Sequence, residues 1–443
     1  MNKRWLRLSA SLGILMVVVL VASATGASAQ SVGPRIESRL AIATHAITTK
    51  TVTIGKDPGI ALYDPGNNEV YVANGGSNTV SAINPSTYAV TTVSVGSDPL
   101  LLTYAASTKD LYVLNYETSV SVLSSTNSVL KTITFPSGDV PLNQAYDPGN
   151  GDVYVLVVTS TTPEMVQINS ATFAQTDVPV PSGSLSYITY DNATTSLVVS
   201  DGDANELTII SSTNAVTTVK LTKGLWPTWM VYNPHDSDLY ISDIGVTSKG
   251  YTKSANVSVL SSSNKIVATL KVGELPTTGW YDPNNFDIYV VDTGGLPSGK
   301  TYPTSKVSVI SDANKVVKTL TVGKYAVIAF YDPANTEMYV ACPASNLTYT
   351  ITNANALGPK VTTKQSAGAA IYDAGLGEMI AVGVTDFYGA STADTVATII
   401  PSSNTGTSTV TLGEGPAAGS AYDPSDSGFF VVNEGAGTVT VIL

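Results

Sequence analysis

Fourteen of the 34 carboxylates in this 443-residue chain stand at two fixed distances from a recurring tyrosine. Asp64, Asp147, Asp191, Asp282, Asp332, Asp373 and Asp423 follow it directly, and Glu69, Asp110, Asp152, Asp238, Asp287, Glu337 and Glu378 fall six residues after it. So regular a set of oxygen ligands could hold cations around one rim. The same residue types also accept hydrogen bonds from their own turns, and that reading, a carboxylate shaping a hairpin, is the favoured one.

Other candidates for chemistry are sparse. Asp201-Gly202-Asp203-Ala204-Asn205 resembles the opening of a calcium loop, but position twelve is Ser212 where a glutamate would be needed, so it reads as a plain turn. Ser262 to Lys265 fits S-x-x-K, yet other copies of the repeat place similar Ser/Asn runs there. His45 and His235 lack a recognisable partner and read as exposed linker and turn residues. Cys342 stands where other copies have Asn74, Asn115 or Asn433 and reads as a substituted strand-end residue. Gly435-Ala436-Gly437 leads into a strand, which excludes a dinucleotide loop. No residue is assigned a catalytic or metal-binding role, and no cofactor is expected.

The elements that position these groups follow from the tyrosine itself. Tyr63, Tyr104, Tyr146, Tyr190, Tyr232, Tyr281, Tyr331, Tyr372 and Tyr422 mark nine copies at intervals of 41, 42, 44, 42, 49, 50, 41 and 50 residues. Each copy contains four short apolar runs, as in GIALYDP, EVYVAN, NTVSAIN and AVTTVSVG, separated by Gly, Pro, Asn and Ser. A period near 42 with four strands predicts the blades of a β-propeller. Eight residues after each repeat tyrosine stand Tyr71, Tyr112, Tyr154, Val198, Tyr240, Tyr289, Tyr339, Ile380 and Phe430, so the first hairpin should be alike in every copy. The ninth copy ends after its third strand, and residues 48–55 read like the missing fourth. The expected fold is therefore all-β: a single propeller of nine four-stranded blades, with seven or eight as alternatives, closed by an N-terminal strand that completes the last blade.

YDP-type turns followed by YVAN (71–74), YVLN (112–115), YVVD (289–292) and FVVN (430–433) resemble the YVTN β-propeller repeats. The resemblance runs from about Thr48 to Leu443. It implies a setting like that of surface-layer and exported propellers, which often have seven blades.

Residues 1–29 read as a secretory signal peptide, with Lys3, Arg4 and Arg7, an apolar run over 13–22, and Ala27-Ser28-Ala29 before the cleavage point. Residues 30–47 form a linker and 48–443 the propeller. Removing the leader's three basic residues and no acid takes the formal charge from −12 to −15, which argues against a nucleic-acid partner. No later stretch is apolar enough for a membrane span. A single cysteine forms no internal disulfide, so the core must supply the stability. Sequons begin at Asn192, Asn256 and Asn346. The expected location is extracellular or at the cell surface; nothing in the sequence specifies an oligomeric state.

Subtracting the repeat leaves three long insertions, each between the second and third strands of its copy: 244–255, 293–304 and 384–394, in copies five, six and eight. Long loops on a rigid scaffold are where binding residues concentrate. The candidate binding residues are Trp226, Lys249, Tyr251, Lys253, Lys300, Tyr302, Phe387 and Tyr388, suited to a glycan or an envelope protein. Trp229 and Trp280 lie in first strands, where packing between blades is expected. The favoured reading is a non-enzymatic binding or structural module. The alternative is a hydrolase or lyase with a carboxylate-held metal at the central channel, although Ile60, Leu101, Asn143, Tyr187, Trp229, Thr278, Ile328, Ala369 and Gly419, three before each tyrosine, carry no charge.

Overall fold

A computed structural model describes residues 47–443 apart from 117, 160–162, 182, 184, 222–225, 248–249, 252–255, 299–300, 364–366, 375, 384–395, 418 and 426–427. The leader, His45 and the linker up to residue 46 lie outside the described residues. The chain forms nine four-stranded sheets and one small two-stranded sheet. Blade one shows the plan: Pro58–Asp64, Glu69–Asn74, Thr79–Ile83 and Val90–Ser94, each antiparallel to the next. Blade nine joins Ala421–Asp423, Gly428–Asn433 and Thr438–Ile442 to Thr49–Thr53, with Thr49 opposite Ile442.

Closure is also made at the inner strands. The Ala61 amide donates to the Gly419 carbonyl at 2.7 Å, pairing the first strands of blades one and nine in parallel. A Cβ at position 419 would overlap the Gly59 carbonyl, so only glycine fits there. The molecule is a nine-bladed β-propeller. Second strands are buried on both faces, as in Asp110–Asn115, because each sheet lies between two others. Fourth strands form the outer edge: of Val129–Thr134 only Ile133 is buried.

The repeat carboxylates divide into two jobs. Those after the tyrosine shape the hairpin, as expected: Asp64, Asp147, Asp191, Asp282, Asp332 and Asp423 each accept the amide two residues on, at 2.7 to 2.9 Å. Copy two has Ala105 instead, and there the free Ser107 amide donates to Tyr146 of the next blade at 3.1 Å. Five residues after the tyrosine the chain is left-handed in every described copy, at Asn68, Lys109, Gly151, Thr195, Ser237, Phe286, Thr336 and Gly377.

The carboxylates six after the tyrosine do something the sequence reading did not anticipate. Glu69, Asp238, Asp287 and Glu337 are one half of a bond between blades, whereas Asp152 bonds Gln167, Asn169 and Ser170 of its own blade. Tyr71 donates its hydroxyl to Asn127 Oδ1 at 2.7 Å, and Asn127 returns its amide to Glu69 at 2.8 Å. The same exchange joins Tyr240 and Asp238 to Asn314, Tyr289 and Asp287 to Asn355, and Tyr339 and Glu337 to Asn404. Tyr154 holds Asn214 likewise, with Gln167 taking the amide. Each asparagine sits at positive φ in the turn between third and fourth strands of the following blade, a conformation asparagine tolerates better than most residues.

Where the partner is missing, so is its complement. Ile380 faces blade nine, whose third and fourth strands, Thr438–Ile442 and Thr49–Thr53, are not consecutive and share no turn, and Phe430 packs near Tyr88, which holds the left-handed position of blade one. Two mismatches remain. Tyr112 meets a blade with Phe173 at that position, and its hydroxyl has no partner; Val198 precedes Asn264, whose Oδ1 has none.

Candidate binding face

The segments leading into the first strands and the loops joining second to third strands share one face. They are tied by backbone bonds: Gly75 to Asp57, Tyr116 to Asp98, Ile244 to Trp226, Thr293 to Leu275 and Glu434 to Gly415, at 2.7 to 3.0 Å. Asp57, Asp98, Leu275 and Gly415 are left-handed, turning each carbonyl toward its neighbouring loop.

Trp226 sits beside the blade-five insertion, accepting the Ile244 amide on its carbonyl. Its indole lies over Gly202, in the Asp201 to Asn205 turn of blade four, and a Cβ at 202 would overlap the ring. That turn is closed by the Ala204 amide bonding to Asp201 at 2.9 Å. Gly202→Ala should therefore lift the indole into solvent and red-shift the tryptophan emission, with little change in melting temperature. An unchanged spectrum would mean that the ring is not seated there.

The blade-five insertion includes the short antiparallel pair Val246–Thr247 and Gly250–Tyr251. Lys249, Lys253, Lys300, Phe387 and Tyr388 lie outside the described residues, as does the whole blade-eight insertion, and Tyr251 is placed by its backbone alone. Tyr302 is half-buried, its ring 5.3 Å from that of Tyr325 at an interplanar angle of 58°. Tyr325, also half-buried, was not singled out from the sequence. The signal was available: it occupies a left-handed position in the segment leading into blade seven, where blades one and two carry Asp57 and Asp98. Leu296 is exposed in the same insertion.

Beneath this face the second strands of blades five and six end on Asp243 and Asp292. Burial pushes the Asp243 carboxyl up to about 8, opposed by a hydrogen bond from Ser258. Burial also raises Asp292 to about 7, against bonds from Ser308 and the Gly273 amide and the charge of Lys306. Cys342, at the equivalent position of blade seven, is buried, its thiol pushed up to about 12 by burial, which makes it unreactive.

The remaining candidates resolve into packing. Trp229 lies 5.8 Å from Tyr187 of blade four and donates its indole N–H to Gly279 of blade six. Trp280 packs against Phe330 of blade seven. His235 is exposed, as expected, but it has partners: it stacks on Phe286 with ring centroids 3.9 Å apart and places Nε2 3.4 Å from Asp312. Among the described residues no three His, Cys, Asp or Glu side chains are grouped to hold a metal ion.

No protein-family model and no curated protein matches this chain. Solved structures do match, at low identity. Dihydro-heme d1 dehydrogenase NirN is similar over 83% of this chain and 80% of its own, at 12% identity and a TM-score of 0.58. Virginiamycin B lyase from Staphylococcus aureus is similar over 89% of this chain and 99% of its own, at 12% identity and a TM-score of 0.48. What this chain shares with such structures is the propeller fold.

Proposed function

We propose that this protein is exported and acts at the cell surface as a non-enzymatic binding or structural module, recognising a glycan or protein of the envelope through the face that carries the insertions. The observation that carries this reading is the half-buried aromatic set on that face: Trp226 over Gly202, and the tilted pair Tyr302 and Tyr325. Half-buried rings keep part of their surface toward solvent, where they can stack on a sugar or receive a partner's side chain. The YVTN-like repeat and the leader support the setting.

Retention of the mature protein on isolated envelope tests it. Trp226→Ala combined with Tyr302→Ala should keep the melting temperature within a few degrees and cut retention at least about tenfold, as expected when two anchor rings are lost. Undiminished retention of the double variant would remove this face from consideration.

A further inference from the structure

We propose a second binding surface, the outer rim of blades five to seven, which takes an acidic polysaccharide. The fourth strands of these blades are Ile266–Lys271, Lys315–Lys324 and Leu357–Thr362. They display Lys271, Lys315, Lys318, Lys324 and Lys360, all exposed, with Lys265 just before the first strand and no acid in any of the three. Blade six alone has more than one lysine in its fourth strand; those of blades five and seven carry one each, as do Thr49–Thr53, Val129–Thr134 and Val216–Lys220, and Gln175–Val178 carries an acid. In a chain of formal charge −12 this is a local reversal of sign. The outer strands of blades five and six touch, and that of blade six also touches the second and third strands of blade seven.

None of these lysines forms an ion pair among the described residues. Lys360 is held over the ring of Tyr349 at 5.2 Å, which still leaves its charge outward. The nearest acid in sequence to the blade-six strand, Asp312, is taken by His235. Between the lysines lie exposed Thr269, Thr319, Thr321 and Thr362, and three of the six exposed large apolar residues among those described, Val267, Val317 and Leu357.

Edge lysines also deter strand-to-strand pairing. That need is common to all nine edges, however, and does not explain why three lysines stand on the blade-six strand, with Lys265, Lys271 and Lys360 on or next to its two neighbours. The rim is convex, so it suits a flexible chain of repeated charge, which needs charge density and not a pocket. Carboxylates of such a chain pair with the lysines, and its hydroxyls bond the threonines. Nucleic acid is the poorer fit, because these strands offer neither arginine forks for phosphate nor exposed rings for bases.

The test uses the mature protein on immobilised alginate at low salt. Lys271→Glu, Lys315→Glu and Lys318→Glu together should lower apparent affinity at least about tenfold. Lys50→Glu, Lys131→Glu and Lys220→Glu, the same charge change on other edges, should lower it far less. Equal melting temperatures certify both folds, and the glutamine versions replace any triple variant that unfolds. The proposal is overturned if the wild type is not retained on alginate, if the two triple variants weaken equally, or if single-stranded DNA is retained more strongly than alginate through the same lysines. Lys271 and Lys324 stand opposite Asn256 and Thr304, at the insertion end of their strands, whereas Lys315 and Lys318 stand toward the other end, so Lys315→Glu with Lys318→Glu alone separates the loss of this surface from that of the insertion face.

Discussion

The propeller will be more stable at pH 4.5 than at pH 8. Asp64, Asp292 and Asp243 are pushed up to about 6, 7 and 8 by burial, from an ordinary value of 3.8. Between 3.8 and those values the folded chain holds protons that the unfolded chain has released. Stability is therefore greatest below about pH 4 and falls as pH rises to about 8, beyond which these groups contribute no further slope. Every other carboxylate with a resolved shift, Asp147 and Asp332 among them, is displaced upward too, again by burial first. Acidification also brings the net charge toward zero, since the pI is 4.6, and relieves self-repulsion.

Asp243 and Asp292 should account for much of this slope, and the repeat itself shows how to remove it. At the same position Asn74, Asn115 and Asn433 donate to two hydroxyls of the third strand, Asn74 to Thr79 and Ser81 for example. With aspartate the bond is reversed: Ser258 donates to Asp243 at 2.8 Å and Ser308 to Asp292 at 2.6 Å. Asp243→Asn and Asp292→Asn need only turn that hydroxyl around. Each should stabilise the protein at pH 8 by on the order of 3 kcal/mol and change little at pH 4.5. Thermal melts of the wild type and both variants across this range decide it. A wild type whose melting temperature climbs from pH 4.5 to 8 would show that these carboxylates are ionised and held by a partner.

The second large effect concerns the bond between blades. Asn355→Ala should cost about 3 kcal/mol, because it removes the acceptor of the Tyr289 hydroxyl, which keeps only its bond from Asn285, takes the amide donor from the Asp287 carboxylate, and leaves alanine at a φ of 56°. Tyr339→Phe, which removes one donor and leaves Asn404 its bond to Glu337, should cost about 1 kcal/mol. Tyr112→Phe is the internal control. It is the same substitution at an equally buried site, but its hydroxyl has no partner, so the change should be neutral or slightly stabilising. Denaturant midpoints of the three variants separate this account from one in which the tyrosines matter only as bulk, where both phenylalanine variants would be equal.

Groups whose partners lie within a few residues were legible from the chain alone. The aspartate after each repeat tyrosine bonds an amide two residues on, so its role follows from local turn geometry. The period, the four strands per blade and the completion of blade nine by Thr49–Thr53 follow from alternation and turn spacing, because a ring cannot leave an edge open at its seam. The carboxylates six after the tyrosine were different. The partners of Glu69, Asp238, Asp287 and Glu337 stand 58 to 76 residues away in the next blade, and only the packing of one sheet on another sets that register.

The same reason covers His235 on Phe286, Tyr302 against Tyr325, and the burial of Asp243 and Asp292. Each pairs or buries groups from separate elements. The carboxylate ring that first invited a search for chemistry was visible in the sequence as a pattern. Only the tertiary structure decided that its members hold the blades in shape and hold them together, since the energy of a buried charge depends on what the neighbouring sheet brings to it.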